Sequence, residues 1–227
     1  MSPNDILEFF YTLVDDEPDT ASAMILMDAA YTKRNDARFW TFLMALDTSM
    51  THGVSDTWQT NHALPSDFEE PYRVYGSAGG GSEYDPVPHE GILNYIGAAR
   101  RYSIDYGNSQ LRVTGPGSGN TLYMWYKKHA TSLIGLSDAL KASASTIIWP
   151  KRFCPILAFD MAQIQMGGID SDDIARAQVP FHNQAHKELY NAMISWDTRR
   201  RMKTLGNSSA PQSTGSGLTP ADVVDMP

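Results

Sequence analysis

The chain has one cysteine, Cys154, among 227 residues. An internal disulfide is therefore excluded, and so is a cysteine-rich zinc site. A lone cysteine more often acts as a small buried hydrophobe than as a nucleophile. Cys154 sits in Arg152-Phe153-Cys154-Pro155-Ile156, at an apolar helix start, and a structural role is expected. No apolar run approaches the ~20 residues that a membrane span needs, so no membrane partner is expected. Met1-Ser2-Pro3-Asn4-Asp5 carries no basic region leading into an apolar stretch, so no secretory signal is expected. Cations are in the minority: 18 Lys and Arg against 26 Asp and Glu give a formal net charge of −8. Proteins that grip duplex DNA usually present a basic face, which argues against tight DNA binding here. An acidic wall past which DNA slides remains compatible with this balance. The sequence has no internal repeat and no long charge block.

What is present suits a globular chain, with 42% hydrophobic and 19% charged residues. The length accommodates one domain with a sizeable core, or two small ones. Ser2-Pro3-Asn4-Asp5 reads as a helix start, with a capping-box spacing and proline at the first helical position. Ile6, Phe9, Phe10 and Leu13 follow at helical spacing, predicting a helix over 3–14. Asp15-Asp16-Glu17-Pro18 breaks it. Ala23, Met27, Ala30 and Tyr31 stripe a second helix that ends near Asn35. Phe39 to Met50 predicts a short helical end and then an extended segment.

From about 45 to 130, turn residues alternate with short strand-like runs. Tyr72 to Tyr75 is one run and Arg101 to Tyr106 another. Gln110 to Thr114 and Thr121 to Tyr126, joined by Gly115-Pro116-Gly117-Ser118-Gly119-Asn120, predict a hairpin. Glu90 to Arg100 fits a short helix. Tyr72, Tyr75, Tyr84, Tyr95, Tyr102, Tyr106, Tyr123 and Tyr126 crowd this stretch, as a binding surface or as packing for a thin sheet core. Helical pattern returns near Lys151. Ile156, Phe159, Ala162 and Met166 form a stripe that Gly167-Gly168 ends. Asp170-Ser171-Asp172-Asp173 opens a long helix to about Met202, with Ala175, Val179, His182, His186, Leu189, Met193 and Trp196 on its buried face. Pro180 predicts a kink or a break within it. Thr204 to Pro227 reads as a flexible arm, rich in Gly, Ser and Pro, that regains apolar residues at Leu218, Val223, Val224 and Met226.

Few residues suggest chemistry. His182 and His186, four apart on one helix face, have the spacing of two zinc ligands. The glutamate of the H-E-x-x-H motif is missing, and a helix face is the simpler reading. The glycine-rich loop at 115–120 lacks the Gly-Lys-Ser/Thr ending of a phosphate loop. No Gly-x-Ser-x-Gly elbow occurs. Arg199, Arg200, Arg201 and Lys203 form the one basic cluster, suited to DNA, to an acidic partner surface or to a solvated helix end. Trp196 beside it favours an interface, since Trp and Arg are enriched at binding hot spots.

The order of these pieces resembles the head-to-tail adaptor, or connector, proteins of tailed phages. The resemblance runs from Phe39-Trp40 through Leu64-Pro65-Ser66-Asp67-Phe68, Arg101 to Asp105 and the 111–126 stretch. It closes with Trp149-Pro150 and the two helices after it, and covers roughly 3–203. It implies an α+β, mainly α fold: a helical bundle built from 3–35 and 151–203, an inserted antiparallel β-module over about 45–130, and an extended C-terminal arm over 204–227. It also implies a structural virion protein of the phage neck, made in the host cytoplasm, with no catalytic residue and no cofactor. Such proteins form rings, commonly of twelve copies, beneath the portal protein. They extend the DNA channel and offer a docking surface to stopper or tail proteins, while DNA passes the lumen without specific contacts. The portal-binding role falls on Trp196, Arg199, Arg200, Arg201 and Lys203, and on Leu218, Val223 and Val224 in the arm. The rival expectations are a tail terminator, a small metal-dependent hydrolase using His182 and His186, and a DNA-binding module using Arg199 to Lys203.

Overall fold

The structure is a computed structural model. It describes residues 1–14, 18–53, 58–76, 82–89, 94, 99–115, 119, 121–168 and 173–206, with the side chains of 59–61, 166–180 and 203–206 outside the description. The fold is α+β and mainly α. Two compact units emerge. The first is built from Met1–Asp47, Ala63–Arg73 and Met124–Leu205, and the second from Thr48–His62 and Val74–Tyr123.

The first unit begins with α1, Pro3–Tyr11. Its capping box is formed: the Ser2 N–H donates to Asp5 Oδ2 at 2.8 Å and the Asp5 N–H to Ser2 Oγ at 3.2 Å. Two backbone donors that the helix itself cannot pair are thereby satisfied. The helix ends three residues earlier than its apolar spacing suggests, because Thr12 caps it. Helix α2, Thr20–Asp36, is capped by Asp19, which accepts from the Ala21 and Ser22 N–H groups at 2.9 and 3.0 Å. Ala23, Met27, Ala30 and Tyr31 all face the core, as their stripe predicts. A 3-10 turn at Lys151–Phe153 leads into α4, Pro155–Gly168; α5 spans Asp173–Gly206, and a four-residue α3, Asp138–Lys141, precedes both. Ile6, Phe10, Trp40, Leu43, Ile156, Leu157 and Met193 are fully buried among these helices. Each such side chain stabilises the fold by ~1.5–3 kcal/mol relative to exposure.

The predicted break at Pro180 does not occur: α5 continues through it. A proline lacks the N–H for one rung of the ladder, and the residues C-terminal to it anchor the helix in the core, down to the fully buried Met193 and Asp197.

A three-stranded sheet belongs to the same unit, in the order β1 (Met44–Asp47), β7 (Tyr123–Lys128), β3 (Phe68–Tyr75). β1 and β7 are antiparallel, with Met44 opposite Lys127 and Asp47 opposite Met124. The Lys127 ammonium is almost fully buried and lies 2.5 Å from Glu69 Oε1 and 3.5 Å from Asp36 Oδ1. The Tyr126 hydroxyl donates to Asp67 Oδ1 at 2.9 Å. Burial first, and then the Asp67 carboxylate, push this phenol far above its ordinary pKa.

The second unit holds a four-stranded sheet, in the order β2 (Gln59–Ala63), β6 (Gln110–Thr114), β5 (Arg101–Asp105), β4 (Asp85–Pro86). β4 runs parallel to β5, so the strands are not all antiparallel. β5 and β6 form an antiparallel hairpin over Tyr106–Ser109. Tyr102 opposite Val113 and Ile104 opposite Leu111 give it one buried apolar face. Asp105 holds the turn, accepting from Asn108 N–H at 3.1 Å, Asn108 Nδ2 at 3.0 Å and Arg112 Nη2 at 2.6 Å.

The strands of this stretch fall in two sheets, and the expected hairpin is a correction. Gln110–Thr114 pairs with β5, whereas Tyr123–Lys128 pairs with β1. Gly115 shows why the first strand ends where it does. Its φ is +109°, and a Cβ there would stand 2.7 Å from the Ala99 carbonyl oxygen. Of the helix expected over 90–100, residues 90–93 and 95–98 lie outside the described residues; of the arm expected over 204–227, residues 204–206 continue α5 and 207–227 lie outside the described residues. No described helix is long and apolar enough to cross a membrane.

Candidate functional site

Successive residues on an α-helix are rotated by about 100°, so three consecutive arginines cannot share one surface. Arg199 is exposed, and its Nε donates to the Ser195 carbonyl at 3.2 Å. Arg200 is exposed and lies over the Trp196 ring, its Cζ 5.4 Å from the centroid. Arg201 turns inward: it donates to the Phe39 carbonyl and lies 3.7 Å from Asp197 Oδ2. Asp197 is fully buried and accepts from both Thr41 N–H and Thr41 Oγ1 at 2.7 Å, with Arg38 3.4 Å from its second oxygen. Arg201 therefore fastens α5 to the segment around Phe39–Thr41 within the first unit.

Trp196 is half-buried, with Phe153 at 5.7 Å and Phe42 at 6.4 Å between ring centroids. A second guanidinium reaches it from elsewhere in the sequence. Arg152, exposed on the turn before α4, has its Cζ 5.4 Å from the Trp196 centroid and 4.6 Å from that of Phe153. A guanidinium within ~6 Å of an aromatic centroid is attracted by the ring's electron-rich face. The surface at this end of α5 thus includes Trp196, Arg199, Arg200 and Arg152. The Lys203 side chain and all of Leu218, Val223 and Val224 lie outside the described residues.

His186 belongs to an ionic cluster in the same unit. Its Nε2 is 2.9 Å from Arg34 Nη2 and 3.1 Å from Asp160 Oδ1, and its ring stacks on Tyr190 at an interplanar angle of 3°. One ring nitrogen cannot accept from Arg34 and donate to Asp160 at once, so the tautomer selects which of the two contacts is a hydrogen bond. A cation placed on this nitrogen would meet the Arg34 guanidinium, itself 4.4 Å from the Tyr190 centroid. His182 packs its ring 6.0 Å from Phe159, and its buried Nδ1 has no hydrogen-bond partner among the described residues. Among the described residues, no group of three His, Cys, Asp or Glu is placed to hold a metal ion.

Cys154 is buried, with its Sγ 3.8 Å from the Pro150 carbonyl and 3.9 Å from that of Trp149. Burial pushes its thiol pKa up, away from nucleophilic use at neutral pH.

The sequence reading passed over Arg152 and Asp160. Arg152 is 44 positions before Trp196, beyond any local pattern. Asp160 left a signal: it is the lone charge in the apolar run Ile156 to Ala162. A carboxylate in such a run calls for a buried cation. No family model matches this chain, and no curated protein matches it.

Proposed function

We propose that the chain is a head-to-tail adaptor of a tailed phage, a structural protein of the virion neck. In this reading it seats as a ring beneath the portal protein, extends the DNA channel and gives stopper or tail proteins a docking surface. The observation that carries the reading is the order of elements. Two N-terminal helices, a strand-rich middle and a closing helix pair follow one another as the resemblance implies, and near its end the last helix carries the half-buried Trp196 beside the exposed Arg199 and Arg200. A tail terminator would be dominated by strands, and the helical content favours the adaptor over it.

The physics of a ring supports the same reading. Identical subunits close a ring through heterologous contacts, each using two different surfaces. The first unit offers exposed apolar side chains on several helices: Ile25 on α2, Ile164 on α4 and Phe181 on α5, the last 77% exposed. The acidic net charge suits a channel that lets DNA pass without holding it. No catalytic residue is assigned. Co-sedimentation of the purified protein with DNA-filled, tailless capsids tests the reading: an adaptor binds the portal vertex as a ring, and any other protein leaves it bare.

A further inference from the structure

The three-stranded sheet of the first unit has two edge strands, β3 and β1, and their sequences differ in kind. β3 carries Pro71 in its interior, and proline has no N–H to offer a further strand. β1, Met44-Ala45-Leu46-Asp47, has neither proline nor lysine, the residues that commonly blunt an edge. The Lys128 N–H donates to the Leu43 carbonyl at 2.8 Å, and the register sets Ala45 opposite Tyr126 and Leu46 opposite Trp125. In an antiparallel ladder, residues bonded to the neighbouring strand alternate with residues whose N–H and C=O point away from it. Counted from Leu43, Ala45 and Asp47 face β7, whereas Met44 and Leu46 face outward. The Met44 N–H is taken by the Thr41 carbonyl at 3.4 Å, but no described residue pairs with the Leu46 N–H or C=O. The Leu46 side chain is also 42% exposed. One residue thus presents a donor, an acceptor and an apolar side chain along the same outer edge.

We infer that the outer edge of β1 pairs with β1 of a second copy of this chain, antiparallel and centred on Leu46. Each copy then supplies the same donor and acceptor, and the two Leu46 residues exchange their N–H···O=C bonds. Directly opposed side chains lie on one face of a sheet, so each exposed Leu46 covers the other. The register also suits the charges. It sets Asp47 opposite Ala45 of the second copy, whereas a pairing centred on Asp47 would oppose two like charges. The contact joins two three-stranded sheets edge to edge. It is small, so the dimer is weak and depends on protein concentration. The inference does not rest on the adaptor reading, since two identical edges close on themselves, whereas a ring needs two different surfaces.

The test is sedimentation equilibrium of the full chain from micromolar to millimolar protein, with hydrogen exchange followed at the Leu46 amide. A monomer–dimer equilibrium is expected, in which protection of that amide rises with concentration. Leu46→Pro deletes the outward N–H and keeps the ladder to β7, and it should weaken the dimer by about tenfold or more. Leu46→Lys keeps the backbone donor but sets two ammonium groups opposite each other, and it should weaken the dimer severalfold. Circular dichroism checks that both variants fold, and the lysine variant carries the test should the proline variant not. A monomer at every concentration overturns the proposal. So does a dimer that the folded variants leave unchanged, which would move the contact to other exposed apolar side chains such as Phe181. Protection of the Leu46 amide that is independent of concentration also overturns it, because a segment of the same chain would then hold the edge.

Discussion

Arg34 of α2 holds Asp160 of α4 in a two-bonded fork, Nε to Oδ2 at 2.7 Å and Nη2 to Oδ1 at 2.5 Å. Both side chains are largely buried, and His186 of α5 closes on the same Oδ1, so one carboxylate joins three helices. Removing one partner of a buried pair strands the other charge. Arg34→Met or Asp160→Leu alone should each cost about 3–5 kcal/mol in urea unfolding. The double variant R34M/D160L should recover much of that loss, because no unpaired charge is left behind.

The same carboxylate makes stability depend on pH. Burial alone would raise the Asp160 pKa, but hydrogen bonds from Arg34 and His186 outweigh it and hold the value below the ordinary one. A folded-state pKa below the unfolded one, ~3.9 for aspartate, contributes stability that is present above the unfolded value. That contribution is lost as pH falls through the unfolded value towards the folded one. Unfolding free energy measured from pH 7 down to pH 3 should therefore drop most steeply below about pH 4. Asp160→Asn should be less stable at neutral pH and lose less on acidification.

Asp197 predicts a second destabilised variant for a different reason. It is fully buried and receives two hydrogen bonds from Thr41 as well as the charges of Arg38 and Arg201. Asp197→Ala leaves two buried or half-buried cations without their anion, and should cost about 3–5 kcal/mol. Thr41→Ala removes a side-chain bond only and should cost about 1 kcal/mol. Thermal unfolding of the two variants distinguishes these magnitudes.

Gly115 tests the second unit. Its φ of +109° and the 2.7 Å approach to the Ala99 carbonyl leave no room for a methyl group. Gly115→Ala should destabilise by at least about 1–3 kcal/mol through strain alone. Gly119→Ala, at φ +70° but with nothing within 4 Å among the described residues, should cost less. Hydrogen exchange of the β5–β6 hairpin reports both.

Local features were readable from the sequence and distant ones were not. The Ser2–Asp5 capping box, the Ala23–Met27–Ala30–Tyr31 stripe and the bounds of Gln110–Thr114 depend on residues a few positions apart, where spacing dictates geometry. The partner of Gln110–Thr114 depends on sheet assembly. A glycine-rich link to the next strand suggested a hairpin, yet the preceding strand, reached through the Asp105-held turn, took the place. The candidate site was half legible for the same reason. Trp196 and its basic neighbours stand out as a local cluster, but helical rotation sends Arg201 inward, and tertiary packing brings in Arg152.

The most direct test of the adaptor reading is co-sedimentation with DNA-filled, tailless capsids, comparing the full chain with a version truncated after Lys203. The reading predicts that the full chain binds the portal vertex as a ring, visible by electron microscopy, and that the truncated chain binds more weakly. A portal vertex left bare by the full chain would contradict it.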